Sequence, residues 1–245
     1  MENLVLQALN GLASASSLFL VASGLTVIFG VTRIVNFAHG SFTMLGAYLA
    51  YTLVTSLPRG HLGYWGSVLG AALLVGLLGV AVEVLLLRRI YRAPELFQLL
   101  ATFGVVLVVQ DLALLAWGPQ DLLGPRAPGL RGSVEILGGL RFPLYELFLI
   151  AVGPVVLGLL WLLFRRTRWG TLVRAATGDR EMVGALGVNQ RWLFTSVFAL
   201  GTFLAALGGA LQMPHEPANL NLDLALIGEA FVVVVVGGMG SIPGA

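Results

Sequence analysis

An apolar run, FPLYELFLIAVGPVVLGLLWLLF, occupies residues 142–164, and the basic run RRTR follows it directly at residues 165–168. A helix needs about 20 mainly apolar residues to cross the hydrocarbon core of a bilayer. The apolar residues do not alternate with period two, which favours a helix over a strand of a β-barrel. Because backbone polar groups in lipid must be paired within the segment, this run predicts a membrane-spanning helix with a positively charged end.

The rest of the chain repeats this pattern. Hydrophobic residues make up 58% of the sequence and charged residues only 11%, whereas a soluble domain carries about 25% charged residues. Further apolar runs lie near Leu6–Gly30, Phe37–Leu57, Trp65–Leu87, Pro94–Trp117, Trp192–Met213 and Leu222–Val236. The last run is short and is expected to be a partial or re-entrant segment. We therefore expect an all-α, polytopic transmembrane helical bundle of about seven spans, forming one domain over residues 1–245.

Glycine recurs along two of these runs. The positions are Gly70, Gly76 and Gly79 in the third run and Gly201, Gly208 and Gly209 in the sixth. Small residues let membrane helices approach one another closely, so these positions predict tight helix packing.

Two residue types are missing from the sequence. The chain has no cysteine, which excludes disulfides, thiolate nucleophiles and cysteine-ligated metals. All 14 basic residues are arginine. Without lysine there is no Walker A loop and no Schiff-base chemistry on a lysine. Energy from a nucleotide would therefore have to come from another subunit.

The arginines predict the orientation of the chain. One alternating set of connections holds ten of them: Arg33, Arg88, Arg89, Arg92, Arg165, Arg166, Arg168, Arg174, Arg180 and Arg191. The other set holds Arg59, Arg126, Arg131 and Arg141. Since positive residues concentrate in cytoplasmic loops, the first set is expected in the cytoplasm and the N-terminus outside. Membrane topology accounts for this basic excess, so it does not indicate nucleic-acid binding. The proline- and glycine-rich loop 118–141 is expected outside, as turns with little regular structure.

The basic segment 165–191 contains a pattern for a short helix. Asp179 can cap its start, Glu181 sits in the first turn where the helix dipole favours an acid, and Gly187 can end it in a left-handed conformation. The expected apolar face consists of Met182, Val183 and Leu186. A helix of about two turns is not stable alone in water. It either packs on this protein's own membrane surface or docks into a partner.

Several polar residues lie in or beside the apolar runs. Asn36 and His39 are three residues apart, hence neighbours on a helix, and are expected at a membrane boundary. They form either a gate near the cytoplasmic mouth or a structural cap at a turn back into the membrane. Asp111 and Glu229 either line a polar pathway or pair inside the bundle, because ionisable groups in membranes face the interior. The scattered histidines have no metal-ligand spacing.

Glu83 has a simpler interpretation. Arg88 and Arg89 follow it by about one helical turn. This spacing predicts a local ion pair near the membrane interface.

A longer pattern resembles a known family. Two neighbouring stretches are similar to the signature of the LivH-type permeases of branched-chain amino acid ABC importers. They are Gly24-Leu25-Thr26-Val27-Ile28-Phe29-Gly30-Val31-Thr32-Arg33-Ile34-Val35-Asn36-Phe37-Ala38-His39-Gly40 and Met44-Leu45-Gly46-Ala47-Tyr48. Two further stretches match the same family. One is Asp179-Arg180-Glu181-Met182 with Leu186-Gly187-Val188-Asn189, and the other is the glycine-rich residues 237–245. Glu181 to Gly187 resembles the EAA-x3-G loop of importer permeases, with Met182 and Val183 in place of its two alanines. The resemblance runs from about residue 5 to the last residue.

The resemblance implies a membrane permease subunit, not an enzyme, that provides half of the path for branched-chain or hydrophobic amino acids. It implies a second LivM-like permease, two cytoplasmic ATP-binding subunits and an extracytoplasmic substrate-binding protein. It also implies a multi-pass location in the cell (inner) membrane, a coupling loop at 165–191, and no cofactor or metal of its own. Family members usually continue past the glycine-rich residues into a final helix, so a further helix is expected beyond residue 245.

Other functions remain open at this point. A related ABC importer could carry urea, short amides or other amino acids. A stand-alone secondary transporter or channel would be expected to show broken helices in two repeated halves, and no clear internal repeat is present. A membrane enzyme would need a nucleophile with a base or a metal pair, and neither a Gly-x-Ser-x-Gly nor a His-Glu-x-x-His pattern occurs.

Overall fold

The computed structural model describes residues 2–57, 60–136, 141–238 and 240. Arg59 of the charge pattern, and all of the C-terminal glycine-rich residues after Gly238 except Gly240, lie outside the described residues. The α-helices in the described part are α1 (Glu2–Thr32), α2 (Ala38–Ser56), α3 (His61–Val82), α4 (Arg88–Ile90), α5 (Glu95–Trp117), α6 (Leu144–Arg166), α7 (Arg168–Gly178), α8 (Arg180–Ala185), α9 (Gln190–Gln212) and α10 (Leu222–Gly237). A π-helical turn, Glu83–Leu87, joins α3 to α4.

The apolar runs form the long helices, which confirms the all-α expectation. Within the described residues, five helices are long and apolar enough to cross a membrane: Leu4–Thr32, His61–Ile90, Glu95–Trp117, Leu144–Arg166 and Gln190–Gln212. The other two predicted runs correspond to α2, with 19 residues, and α10, with 16 residues. At 1.5 Å per residue α10 is about 24 Å long, shorter than a hydrocarbon core of about 30 Å. Its length agrees with the prediction of a partial span.

Helix α9 lies at the centre of the bundle, where it packs against α1, α2 and α3. The predicted close approach of small residues is confirmed at Gly201 and Gly209 of α9, whereas a Cβ on Gly70 of α3 would meet only Leu53 at an ordinary 3.7 Å. Gly24 of α1 faces Gly201 of α9, and a Cβ on Gly24 would collide with the carbonyl oxygen of Gly201. A Cβ on Gly209 would in the same way collide with the carbonyl oxygen of Thr43 in α2. Only glycine permits these backbone contacts, and they hold α1 and α2 against α9.

The loop 118–141 differs in part from the expectation. Gly118 and Gly129 have φ of 77° and 80°, which fits the predicted turns. The loop nevertheless contributes to an antiparallel hairpin, in which β1 (Ser133–Glu135) pairs with β2 (Arg141–Pro143). Three-residue strands are too short to produce a visible alternation in the sequence. Their pairing satisfies backbone groups just before α6 begins at Leu144.

Candidate functional site

Helix α8 begins at the predicted cap. Asp179 Oδ1 accepts hydrogen bonds from the backbone N–H of Glu181 at 2.9 Å and of Met182 at 3.0 Å. The side chain thereby satisfies two of the donors that a helix leaves free at its start. The N-cap prediction at Asp179 is confirmed.

The same helix ends at the predicted glycine. Gly187 has φ of 83°, and its N–H donates to the carbonyl oxygen of Gly184 at 3.0 Å. The N–H of Val188 donates to the carbonyl oxygen of Val183 at 3.3 Å. These two bonds form a Schellman motif, which needs a left-handed residue that glycine adopts without strain.

The predicted apolar face of α8 is wrong in one respect. Val183 is buried, with 5% exposure, in a cluster with Val173 of α7 and Leu193 of α9. Met182 is 58% exposed and Leu186 is 76% exposed. Residues 182 and 186 are one turn apart and share a face, whereas Val183 lies about 100° further around the helix and faces the bundle. The helix therefore anchors itself through one apolar side chain and presents the other two.

Helix α8 is also tied to the central helix of the bundle. The side-chain amide of Gln190, at the start of α9, donates to the carbonyl oxygen of Arg180 at 2.6 Å. The indole of Trp169 in α7 donates to the hydroxyl of Ser196 in α9 at 2.7 Å. Displacement of α7 or α8 would thus act directly on α9.

Asn36 and His39 are not neighbours on a helix. Helix α1 ends at Thr32, and the backbone of Arg33, at φ 56°, turns the chain away from it. Asn36 lies in the non-helical connection, and its carbonyl oxygen accepts from the N–H of His39 at 3.2 Å as α2 begins. The prediction assumed that one helix includes both Asn36 and His39. Helix α1 ends before Asn36, and α2 begins only at Ala38.

The imidazole of His39 lies inside the bundle. It is fully buried, and its Nε2 donates to the carbonyl oxygen of Val21 in α1 at 2.9 Å. Val21 lies eleven residues before the end of α1 at Thr32, or about 16 Å along the helix axis. The connection between α1 and α2 therefore brings His39 back alongside α1.

Asn36 is also buried, at 1% exposure. Neither its side-chain oxygen nor its nitrogen finds a hydrogen-bond partner among the described residues, and the same holds for His39 Nδ1. A buried polar atom left without a partner costs about 1–3 kcal/mol.

Asp223 is the buried carboxylate that the sequence reasoning missed. It lies in the first turn of α10 with 1% exposure and accepts hydrogen bonds from Ser41 Oγ at 3.2 Å and Gln110 Nε2 at 3.0 Å. The backbone N–H of Leu224 adds a third bond, at 2.7 Å. Asp223 joins α10 to α2 and α5. The sequence gives only one indication of this residue, which is an acid at the start of an apolar run. Acids are common in the first turn of a helix, so this position did not stand out.

Asp111 and Glu229 are not brought together with Asn36 and His39. Both acids are exposed on the surface of the chain. Asp111 lies on α5 next to Gln110, which turns the opposite way, toward Asp223. Glu229 lines a groove of about 480 Å³ between α1 and α10, together with Gln212 and Glu216. Neither acid has a salt bridge within the described part of the chain.

The predicted ion pair of Glu83 is confirmed. The carboxylate is fully buried, and Arg88 Nη2 lies 3.0 Å from its Oε2. The hydroxyls of Tyr91 and Thr195 donate to the same carboxylate at 3.0 Å and 2.7 Å. Burial, and then the neighbouring carboxylate of Glu83, raise the pKa of the Tyr91 phenol, so it stays a donor. Through Thr195 this cluster fastens the π-helical turn to α9.

Comparison with known proteins agrees with this architecture. Residues 7–245 match the family described as the permease component of branched-chain amino acid transport systems. The chain belongs to this family.

Three relatives illustrate the match. The high-affinity branched-chain amino acid transport system permease protein BraD of Pseudomonas aeruginosa is 28% identical, over 98% of this chain and 80% of its own length. The corresponding permease protein LivH of Escherichia coli strain K12 is 27% identical with the same coverage. A probable LivH of Methanocaldococcus jannaschii is 27% identical over 93% of this chain and 72% of its own length. No solved structure shows a significant match. The LivH-type resemblance is confirmed, and the chain is a multi-pass membrane permease.

Proposed function

We propose that this chain is the permease subunit of an ABC importer and forms half of the translocation path for branched-chain or other hydrophobic amino acids. The observation that carries the proposal is the match to the permease family across residues 7–245. The chain itself has no lysine for a phosphate-binding loop. Two cytoplasmic ATP-binding subunits supply the energy, a second LivM-like permease completes the path, and an extracytoplasmic binding protein delivers the substrate.

Helix α8 is the coupling helix in this proposal, and residues 165–191 are the coupling loop around it. The exposed side chains of Met182 and Leu186 lie one turn apart on a capped, anchored helix. Such a pair fits a hydrophobic groove on a partner protein, as in other helix-in-groove contacts. Because Gln190 ties α8 to α9, closure of the ATP-binding subunits would move the helix at the centre of the bundle.

The path includes Asn36 and His39 from inside this chain and Asp111 and Glu229 from its surface. A path between two permeases lies at the surface of each one, so exposed acids fit its wall. A zwitterionic amino acid needs partners for its ammonium and carboxylate groups. Glu229 can accept from the ammonium, and the unpartnered atoms of Asn36 and His39 support a polar contact deeper in the bundle.

The orientation follows from the arginines. The N-terminus is outside and the coupling loop is cytoplasmic in the cell (inner) membrane, because ten of 14 arginines lie in connections on the coupling-loop side. A single cysteine at Ala175 in α7 tests this, since the chain has no native cysteine. A membrane-impermeant maleimide is expected to label it in inverted vesicles and not in intact cells.

The decisive experiment is co-purification of a tagged full-length protein from its native membrane, with mass spectrometry of its companions. Two ATP-binding subunits and a second permease are expected. Recovery of the chain alone, in detergent that preserves a known importer, would contradict the proposal. Uptake of leucine, urea and acetamide by the reconstituted complex then tests the cargo, with leucine expected.

A further inference from the structure

A second groove lies away from the proposed path. It has a volume of about 830 Å³ and runs between α1, α6 and α7, and Gly240, beyond the end of α10, also lines it. Its wall is mostly apolar and includes Val27, Leu157, Leu160, Trp161 and Phe164. Two arginines, Arg165 and Arg174, line the same groove.

The length of the groove matches one leaflet of a bilayer. Pro154 and Arg165 of α6 both line it and are eleven residues apart, which is about 16 Å along the helix. Half of the hydrocarbon core is about 15 Å. The groove therefore extends from the arginine end of α6 to about the middle of the membrane, which is the depth that one acyl chain occupies.

The end of the groove near Arg165 is positively charged. Arg165 and Arg174 are both exposed, and neither forms a salt bridge within the described residues. Arg33 reaches the same end of the groove, where it donates to the carbonyl oxygen of Thr177 at 3.3 Å. The guanidinium of Arg165 lies 5.8 Å from the ring centre of Trp161. Tryptophan and arginine together are typical of the headgroup level of a bilayer.

We propose that this groove binds an anionic glycerophospholipid, with one acyl chain between α1 and α6 and the phosphate held by Arg165 and Arg174. Basic pockets between membrane helices bind anionic headgroups in this way. The lipid would fasten α7 to α1 and α6, next to the segment that leads into α8.

Two variants separate the charge from the cavity. R165Q/R174Q removes the two arginines at the groove, and R166Q/R168Q is a control with the same loss of charge outside it. Gly158 lines the groove, and a Cβ there meets nothing within 4 Å, so the side chain of G158W begins in open space and is designed to fill the groove. Gly104 of α5 is equally open and lies elsewhere, which makes G104W the matched control.

The measurement is native mass spectrometry of the assembled transporter, stripped of lipid and then titrated with phosphatidylglycerol or phosphatidylcholine. The affinity for phosphatidylglycerol is expected to fall about 30-fold in R165Q/R174Q, to be lost in G158W, and to be unchanged in both controls. Equal losses in the two double variants would overturn the proposal, since only diffuse charge attraction would then remain. Equal affinity for phosphatidylcholine would also overturn it.

Protein could cover the groove in the complex, and cross-linking distinguishes this case. The absence of native cysteine makes Gly158→Cys a clean probe. In the assembled full-length transporter, this cysteine is expected to react with a lipid-soluble maleimide and to form no protein cross-link. A cross-link to the second permease, or to another segment of this chain, would overturn the lipid proposal while leaving the importer proposal intact.

Discussion

The side-chain amide of Gln110 donates to the carboxylate of Asp223 at 3.0 Å and so joins the middle of α5 to the first turn of α10. Ser41 of α2 donates to the same carboxylate. Three helices thus meet at one buried acid that has no cationic partner among the described residues. A hydrogen bond of this kind contributes about 0.5–1.5 kcal/mol, and two of them join the first turn of the short helix α10 to its neighbours.

Replacing Asp223 by Ala is expected to destabilise the bundle by about 1–3 kcal/mol, because it leaves the donors of Gln110 and Ser41 buried without an acceptor. Asp223→Asn keeps an acceptor oxygen and is expected to lose less. Thermal unfolding of the purified protein measures both, with the exposed Asp121→Asn as a control. If D223A unfolds at the wild-type temperature, the cluster does not stabilise the bundle.

Leu186→Glu and Met182→Glu are expected to lower substrate-stimulated ATP hydrolysis of the reconstituted complex about tenfold each. The reason is that burial of such a side chain contributes about 1.5–3 kcal/mol to an interface. The permease itself is expected to fold normally, since both positions are exposed.

Ala175→Glu on α7 is the control for these variants, because it adds the same charge at another exposed position nearby. Equal effects at residues 175 and 186 would argue against docking through the apolar side chains of α8.

Glu229→Gln is expected to reduce amino-acid uptake about tenfold through loss of a charge-assisted hydrogen bond to the substrate ammonium. Assembly with the other subunits should persist, because the substitution keeps the size and the polar character of the side chain. Glu216→Gln, in the same groove, is the matched control. Unchanged uptake by E229Q in the assembled complex would remove this residue from the path.

Glu83→Ala is expected to cost about 3 kcal/mol, because it leaves the ion-pair partner Arg88 and the hydroxyls of Tyr91 and Thr195 without their acceptor. The double variant E83Q/R88Q is expected to lose less stability than the sum of the losses in its two single variants. A double-mutant cycle by thermal unfolding measures this coupling. Strict additivity would mean that the observed pair adds no stability.

Arg33 tests backbone strain directly. Its φ of 56° is the one positive value among non-glycine residues in the described part of the chain. Arg33→Gly and Arg33→Ala both lose the hydrogen bond to Thr177. The difference between their stabilities therefore measures the cost of the left-handed backbone conformation alone. R33G is expected to be more stable than R33A by about 1 kcal/mol. Equal unfolding temperatures would show that the left-handed turn relaxes when the arginine is removed.

The sequence alone determined the features that depend on near neighbours. Apolar runs longer than about 18 residues specify helices because backbone groups in lipid must be paired within the segment. Asp179 and Gly187 mark the start and the end of α8 as predicted, because caps are made with backbone groups two to five residues away. The Glu83–Arg88 pair was predictable for the same reason.

Contacts between helices were decided only by the tertiary structure. Asp223 and Gln110 are 113 residues apart, and no local pattern pairs them. Hydropathy likewise did not reveal that Val183 points inward while Met182 points outward, or that Asp111 and Glu229 lie on the surface. A helix specifies its own length and ends through local hydrogen bonds. The face it turns toward the bundle depends on which neighbour offers close packing and a hydrogen-bond partner.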